Sequence, residues 1–164
     1  MKREPTNHAK AGKLIRGYMK AQGIVGTVRG ERYAGGATVR VHVEDLVPAQ
    51  YQALKEFAKN FEYGTFNGME DIYEYDNVQA DLPQVTFVFV ENAVTLELRQ
   101  KIWDFAKGYY TGMEDAPANV LEANQFFHAG FNRYGQELIY QLFDVAGYGD
   151  TAYWNFVNEV AVAA

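Results

Sequence analysis

Four carboxylates crowd one short stretch, YGTFNGMEDIYEYDN at residues 63–77: Glu70, Asp71, Glu74 and Asp76 follow a glycine turn and sit among aromatic residues. Oxygen donors at this density can take up Mg²⁺ or Ca²⁺, and a small metal-dependent hydrolase would use them that way. Their spacing argues against it. Read as a strand, the stretch sends Glu70, Glu74 and Asp76 to one side and Asp71 to the other. No Asp-x-Asp-x-Asp-Gly loop occurs, and His8, His42 and His128 stand apart with no HExxH pair. No metal ligands and no cofactor are therefore assigned, and the plainer reading of the acids is a solvated strand face.

A second group is basic. Arg29, Arg32 and Arg40 lie close in sequence around Tyr33, and Lys10, Lys13, Arg16 and Lys20 precede them. Arginine interleaved with an aromatic ring can hold a phosphate and stack on a base, which makes this region a candidate nucleic-acid surface. The alternative is that these cations neutralise the acidic remainder, within the fold or across a homodimer. Nucleophile chemistry has little to work with. The chain contains neither cysteine nor serine, so Ser-His-Asp and Cys-His arrangements, disulfides and thiolate metal sites are all excluded. The glycines of GTVRGERYAGG form neither a GxxxxGK[ST] loop nor a GxGxxG opening a helix. Carboxylates are so plentiful that no particular pair stands out for acid–base work.

The net charge of −6 conceals a division. Residues 1–62 hold eleven Lys/Arg against six Asp/Glu, a balance of +5, while residues 63–164 hold four against fifteen, a balance of −11. No basic residue occurs between Lys59 and Arg99, where eight acids do. Such asymmetry marks opposite electrostatic faces or a solubilising surface. The charged N-terminus, Lys2-Arg3-Glu4, has no apolar run behind it, so neither a signal peptide nor a membrane span is expected. A cytoplasmic protein is expected.

The elements that must position these groups follow from periodicity. Ala11, Leu14, Ile15, Tyr18 and Met19 make one apolar stripe on a helix over about 8–22, ended by Gly23. IVGTVR (24–29) and ATVRVHV (37–43) read as strands joined through GERYAGG; Val39, Val41 and Val43 share one face of the second. Tyr51, Leu54, Ala58 and Phe61 predict a helix over 48–61 behind Pro48. A turn at Asn67-Gly68 leads into a strand at 70–76, in which Tyr73 and Tyr75 share a face and are free to pack under a helix. QVTFVFV (84–90) is apolar on both faces and so is expected in the sheet interior, with Phe87 and Phe89 covered. Helices are expected over 93–108, 117–129, 133–146 and 150–162. The fold class is thus α+β: a four-stranded antiparallel sheet in the order α-β-β-α-β-β, with a C-terminal all-helical extension. The natural division is a core at 1–91 and an extension at 92–164.

With these pieces in order, the run AGKLIRGYMKA…VRGERYAGGATVRVHV…FEYGTFNGMEDIYEYDN resembles a domain of the large polyvalent protein-associated group, the one numbered twenty-nine. The residues that carry the resemblance are Leu14-Ile15, Arg32-Tyr33, Gly35-Gly36, Val39 to Val43, Phe61, Gly64, Phe66, Gly68-Met69, Asp71 and Tyr73-Glu74-Tyr75, within about residues 8–77. The resemblance implies an accessory protein of phages or conjugative elements, acting in the host cytoplasm. It carries over no catalytic residues, so a protein that binds rather than catalyses is expected. The acidic cluster Glu70, Asp71, Glu74 and Asp76 suggests the partner. Alternate carboxylates on a strand lie roughly 7 Å apart, close to the span of two base steps on one DNA strand, about 6.8 Å. A DNA-mimicking, anti-defence protein of the anti-CRISPR kind, directed at a host protein or defence complex that handles nucleic acid, is the leading expectation. Direct nucleic-acid binding through Arg29, Arg32, Tyr33 and Arg40 is the alternative.

Overall fold

The computed structural model describes residues 4–109 and 113–125. The chain divides into two compact units, Met1–Ala93 and Val94–Ala164. In the first, helix α1 (Asn7–Ala21) leads into strands β1 (Gly26–Tyr33) and β2 (Gly36–Glu44), then helix α2 (Pro48–Lys59), a small hairpin of β3 (Thr65–Asn67) and β4 (Ile72–Glu74), and strand β5 (Phe87–Ala93).

β1 and β2 form an antiparallel hairpin whose turn is only Ala34-Gly35, so Arg32 and Tyr33, expected in the loop, belong to β1. β5 pairs with β2 in parallel, giving a mixed sheet of order β1-β2-β5. This corrects the expected four-stranded antiparallel sheet in two respects. The stretch at 70–76 is not in the sheet: only Ile72–Glu74 is strand, paired with Thr65–Asn67 in a separate hairpin. The approach to β5 also runs the other way from a meander, because α2 and the hairpin occupy the long crossover that a parallel pair requires.

The core lies on one side of this sheet. Val28, Val39, Val41 and Val43 alternate onto a face that is buried with Ala11, Ile15 and Met19 of α1 and Tyr51, Leu54 and Ala58 of α2. α1 packs over β1 and β2, α2 packs against β5, and Tyr18 stacks on Phe57 with ring centroids 4.1 Å apart, closing the seam between the helices. Arg16 donates to the Val28 carbonyl at 2.9 Å.

β5 is an edge strand, not the interior strand its composition suggested. An edge leaves backbone groups open to pairing with another chain, and here side chains occupy them. The Glu62 carboxylate, only 6% exposed, accepts the Val88 N–H at 3.1 Å, and the Tyr51 hydroxyl donates to the Val90 carbonyl at 3.0 Å. Lys59 pairs with the other Glu62 oxygen at 3.1 Å. Two further polar residues are buried for similar reasons. Asn92 accepts from the Leu46 N–H and donates to the Leu46 carbonyl, pinning the turn after β2. Gln84 donates to the carbonyls of Asn60 and Asn77 and accepts from the Gln79 N–H.

In the second unit, helix α3 (Leu96–Tyr109) buries Leu98, Ile102, Trp103 and Ala106. The Trp103 indole donates to the Pro117 carbonyl at 2.7 Å. Gln100 donates to the Ala118 carbonyl and accepts from the Val120 N–H. These bonds hold the backbone at 117–118 outside any helix, so the expected helix at 117–129 is, in its described part, a 3₁₀ turn at Val120–Gln125. The helices expected at 133–146 and 150–162 lie outside the described residues. Among the described residues no helix is long and apolar enough to cross a membrane.

Candidate functional site

The face of the sheet opposite α1 and α2 carries the residues of interest. Strand alternation places Arg29, Glu31 and Tyr33 of β1, Thr38, Arg40 and His42 of β2, and Phe87, Phe89 and Glu91 of β5 on it. Registration sets them in rows. Arg29 is opposite Arg40, which is opposite Phe89; Thr27 is opposite His42, which is opposite Glu91. The Arg40 guanidinium lies over the Phe89 ring, 4.8 Å from its centroid, a cation–π contact worth about 0.5–1 kcal/mol at an exposed site.

From Phe89 a chain of rings continues. Phe89 stacks beside Phe87 at 5.9 Å, Phe87 meets Tyr73 edge-on at 5.6 Å, Tyr73 meets Tyr63 at 5.6 Å, and Tyr63 stacks on Tyr75 at 5.6 Å with nearly parallel planes. The short β3–β4 hairpin delivers Tyr73 and Tyr75, whose shared face turns toward β5 and Tyr63, not under a helix. Two hydroxyls anchor the middle of the ladder. Tyr73 donates to the Thr86 carbonyl at 2.7 Å, and Tyr63 shares a hydrogen bond with the Thr86 hydroxyl at 2.8 Å. Burial, then the neighbouring Glu62 and Tyr63, push the Tyr73 hydroxyl well above the ordinary tyrosine range. It stays a neutral donor at any physiological pH. The ends of the ladder are open: Phe89 is 46% exposed and Tyr75 70%. Finding Phe89 exposed overturns the expectation that both β5 phenylalanines are covered. Apolarity on both sides of a strand does not require cover on both sides when one side is a ladder of rings that shield one another.

The acids do not act as one group. Glu70 and Asp71 lie in the turn, where Asp71 takes a left-handed backbone (φ 54°) that aspartate tolerates better than most residues. Glu74 accepts from the Asn67 amide at 2.8 Å, and Asp76 from the Thr65 hydroxyl at 3.2 Å, across the hairpin. All four are exposed, and none forms an ion pair among the described residues. Nor does any group of three or more His, Asp or Glu side chains there stand ready to hold a metal ion. Glu74 and Asp76 flank Tyr75 at the open end of the ladder. Glu31 and Glu91 stand at other margins of the sheet face, and His42 contacts Glu91 at 3.3 Å and Glu44 at 3.7 Å.

The basic residues also divide. Arg29, Arg40 and Tyr33 share the open face, whereas Arg32, three residues from Arg29, alternates to the other side, toward the start of α1. Among the described residues Arg29, Arg32 and Arg40 form no ion pair. Sequence reading singled out Arg40 and the hairpin acids but not Phe87, Phe89 or Tyr63 as surface residues. The available signal was the alternation in TFVFV, which puts both phenylalanines on one side and the valines on the other.

Comparison with protein-family models, curated proteins and solved structures returns no match.

Proposed function

We propose that this chain is a non-enzymatic accessory protein of a phage or other mobile element, and that it docks onto a host protein through the open sheet face. The observation that carries the reading is the ladder Tyr75–Tyr63–Tyr73–Phe87–Phe89 capped by Arg40, uncovered at both ends and bordered by Glu31, Glu91, Glu74 and Asp76. Tyrosine, phenylalanine and arginine are the residue types enriched where proteins bind one another, with polar residues around them. The acidic border favours a basic partner surface of the kind that proteins handling nucleic acid present, and it would speed encounter by electrostatic steering. The resemblance over residues 8–77 supports the mobile-element setting and a host-directed or DNA-associated role, and the acidic border is what suggests a defence complex as the target.

The test is affinity capture from host lysate, with and without nuclease. Capture of a nucleic-acid-handling protein should survive nuclease and be weakened in two variants at exposed positions, each checked for a native fold by circular dichroism. Phe89→Ala should weaken binding about 30-fold or more, as expected for a ring at an interface centre worth roughly 2 kcal/mol. Glu74→Lys with Asp76→Lys should slow association and remove its dependence on low salt. Capture by both variants at wild-type level would refute the reading.

One observation favours a second reading. Arg29 and Arg40 are side by side across β1 and β2, in no ion pair among the described residues, next to Phe89, an arrangement that could stack a base and hold a phosphate. Oligonucleotide binding that falls steeply with salt and is weakened by Arg29→Ala and Arg40→Ala alike would support it. In that case nuclease would abolish the lysate capture.

A further inference from the structure

A cavity of about 530 Å³ opens at the end of the sheet where the β1–β2 hairpin turns, between that hairpin, the start of α1 and the approach to β5. Its volume is within the range of small-molecule sites, about 300–1,000 Å³. No Asp or Glu lines it, although acids outnumber bases in this chain, and Arg32 is its one formally charged lining residue. Arg32 forms no ion pair among the described residues. An unneutralised guanidinium in a recess free of carboxylates selects an anion, and its planar fork suits phosphate.

The other walls fit the same ligand. Tyr33, Tyr63 and Thr86 bring hydroxyls, the last two bonded to each other, and the exposed Tyr33 ring can lie against a flat heterocycle whose edge meets Tyr63. The His8 imidazole is held by the Thr6 hydroxyl at 3.0 Å, so Thr6 does not cap the first turn of α1. The hairpin glycines shape the recess. A Cβ on Gly36 would run into the Thr86 hydroxyl and lie 2.8 Å from the Tyr33 hydroxyl, so glycine lets Tyr33 fold over the turn beside Thr86. The Arg-Tyr-x-Gly-Gly run noted in the sequence therefore builds this wall, and neither the ring ladder nor the acidic border uses it.

We propose that this cavity binds a phosphate monoester bearing an aromatic base. Arg32 would hold the phosphate, and Tyr33 and Tyr63 would contact the base. Such a group could be a free nucleoside 5′-monophosphate or the 5′-phosphorylated end of a strand. The cavity shares Tyr63 and Thr86 with the ring ladder of the docking reading, whereas Arg32 lies off the open sheet face and belongs to the cavity alone, so Arg32→Gln separates the two readings.

Calorimetry or ligand-observed NMR on the full chain tests it. The probes are nucleoside 5′-monophosphates, the matching nucleosides, and a short oligonucleotide with and without a 5′-phosphate. Wild type should bind the monophosphates, and the nucleosides at least tenfold more weakly. Arg32→Gln, at an exposed position, should fold normally and lose at least tenfold in affinity, while Arg29→Gln on the other face should change it less than twofold. Binding confined to the 5′-phosphorylated oligonucleotide would identify a strand end as the source of the same phosphate. The proposal is overturned if neither phosphorylated probe binds at millimolar concentration. Equal affinities for phosphorylated and unphosphorylated probes, or no effect of Arg32→Gln, would also overturn it.

Discussion

Asn92 joins the end of β5 to the turn after β2, and removing its amide should loosen the platform that carries the open face. The side chain is 6% exposed, accepts the Leu46 N–H at 3.0 Å and donates to the Leu46 carbonyl at 2.9 Å. Asn92→Ala would leave both backbone groups buried without a partner. Each such loss costs about 1–3 kcal/mol, less whatever an entering water restores. A total of roughly 2–4 kcal/mol follows, read from the urea midpoint at unchanged slope. Amide exchange at Leu46 should accelerate in parallel. Asn92→Asp separates the two bonds. The carboxylate keeps the acceptor for the Leu46 N–H but faces the Leu46 carbonyl with no proton to give. Burial and that carbonyl raise the folded pKa of the new aspartate above its unfolded value of about 3.9. Its deficit relative to wild type is therefore smallest below about pH 4, where the acid is protonated and can donate. The deficit grows as pH rises through the folded pKa. If Asn92→Ala costs less than about 1 kcal/mol, or the Asn92→Asp deficit does not change with pH, the two-bond account of this turn is wrong.

Glu62→Ala should destabilise by roughly 1.5–3 kcal/mol in urea melts, because the Val88 N–H on the edge of β5 loses a charged acceptor. Glu62→Gln keeps a neutral acceptor and should cost clearly less; equal costs would mean that the edge bond contributes nothing. Burial, followed by Glu91 for Tyr51 and by Glu62 for Tyr73, raises both hydroxyl pKa values above the usual value near 10. The stabilisation tied to these neutral hydroxyls is complete below about pH 10 and is lost as pH rises through the folded values. An absorbance titration should then show two tyrosines ionising late, with unfolding, and a single step near pH 10 for all would count against it. Gly17→Ala, on the exposed side of α1 with nothing within 4 Å of the added methyl, should stabilise by about 0.5–1 kcal/mol. Gly64→Ala would drive its Cβ into the Glu74 backbone carbonyl and the Tyr73 ring. It should cost at least about 1–3 kcal/mol and detach the β3–β4 hairpin, seen as loss of the Tyr73–Phe87 contact by NMR.

Much of the first unit could be read from residue order. The stripe of Ala11, Leu14, Ile15, Tyr18 and Met19 and the alternation of Val39, Val41 and Val43 fix α1 and β2, because 3.6- and 2-residue periods allow few other solutions, although Leu14 at the edge of the stripe is 46% exposed and only Ala11, Ile15 and Met19 are buried. The Arg29–Arg40 neighbourhood followed from the hairpin, a local feature. Three matters were not local and were misjudged or missed. QVTFVFV looked like a central strand because composition records apolarity but not which groups cover it; the edge position became possible through Glu62 and Tyr51, distant in sequence. The hairpin acids looked like part of the sheet because strand pattern carries no pairing information, and a parallel β2–β5 pair leaves them outside. The ring ladder and the Arg32 cavity draw on β1, β2, β4, β5 and the segments between them, so they exist only once the crossover has brought those strands together. Local order thus determined α1, β1, β2, α2 and α3 and the buried side of β2, but not the extent of the strand at Ile72–Glu74 or the 3₁₀ turn at Val120–Gln125. Tertiary pairing decided what the remaining side chains face, because the partner of an edge or an open surface is chosen by contacts that no short stretch of sequence encodes.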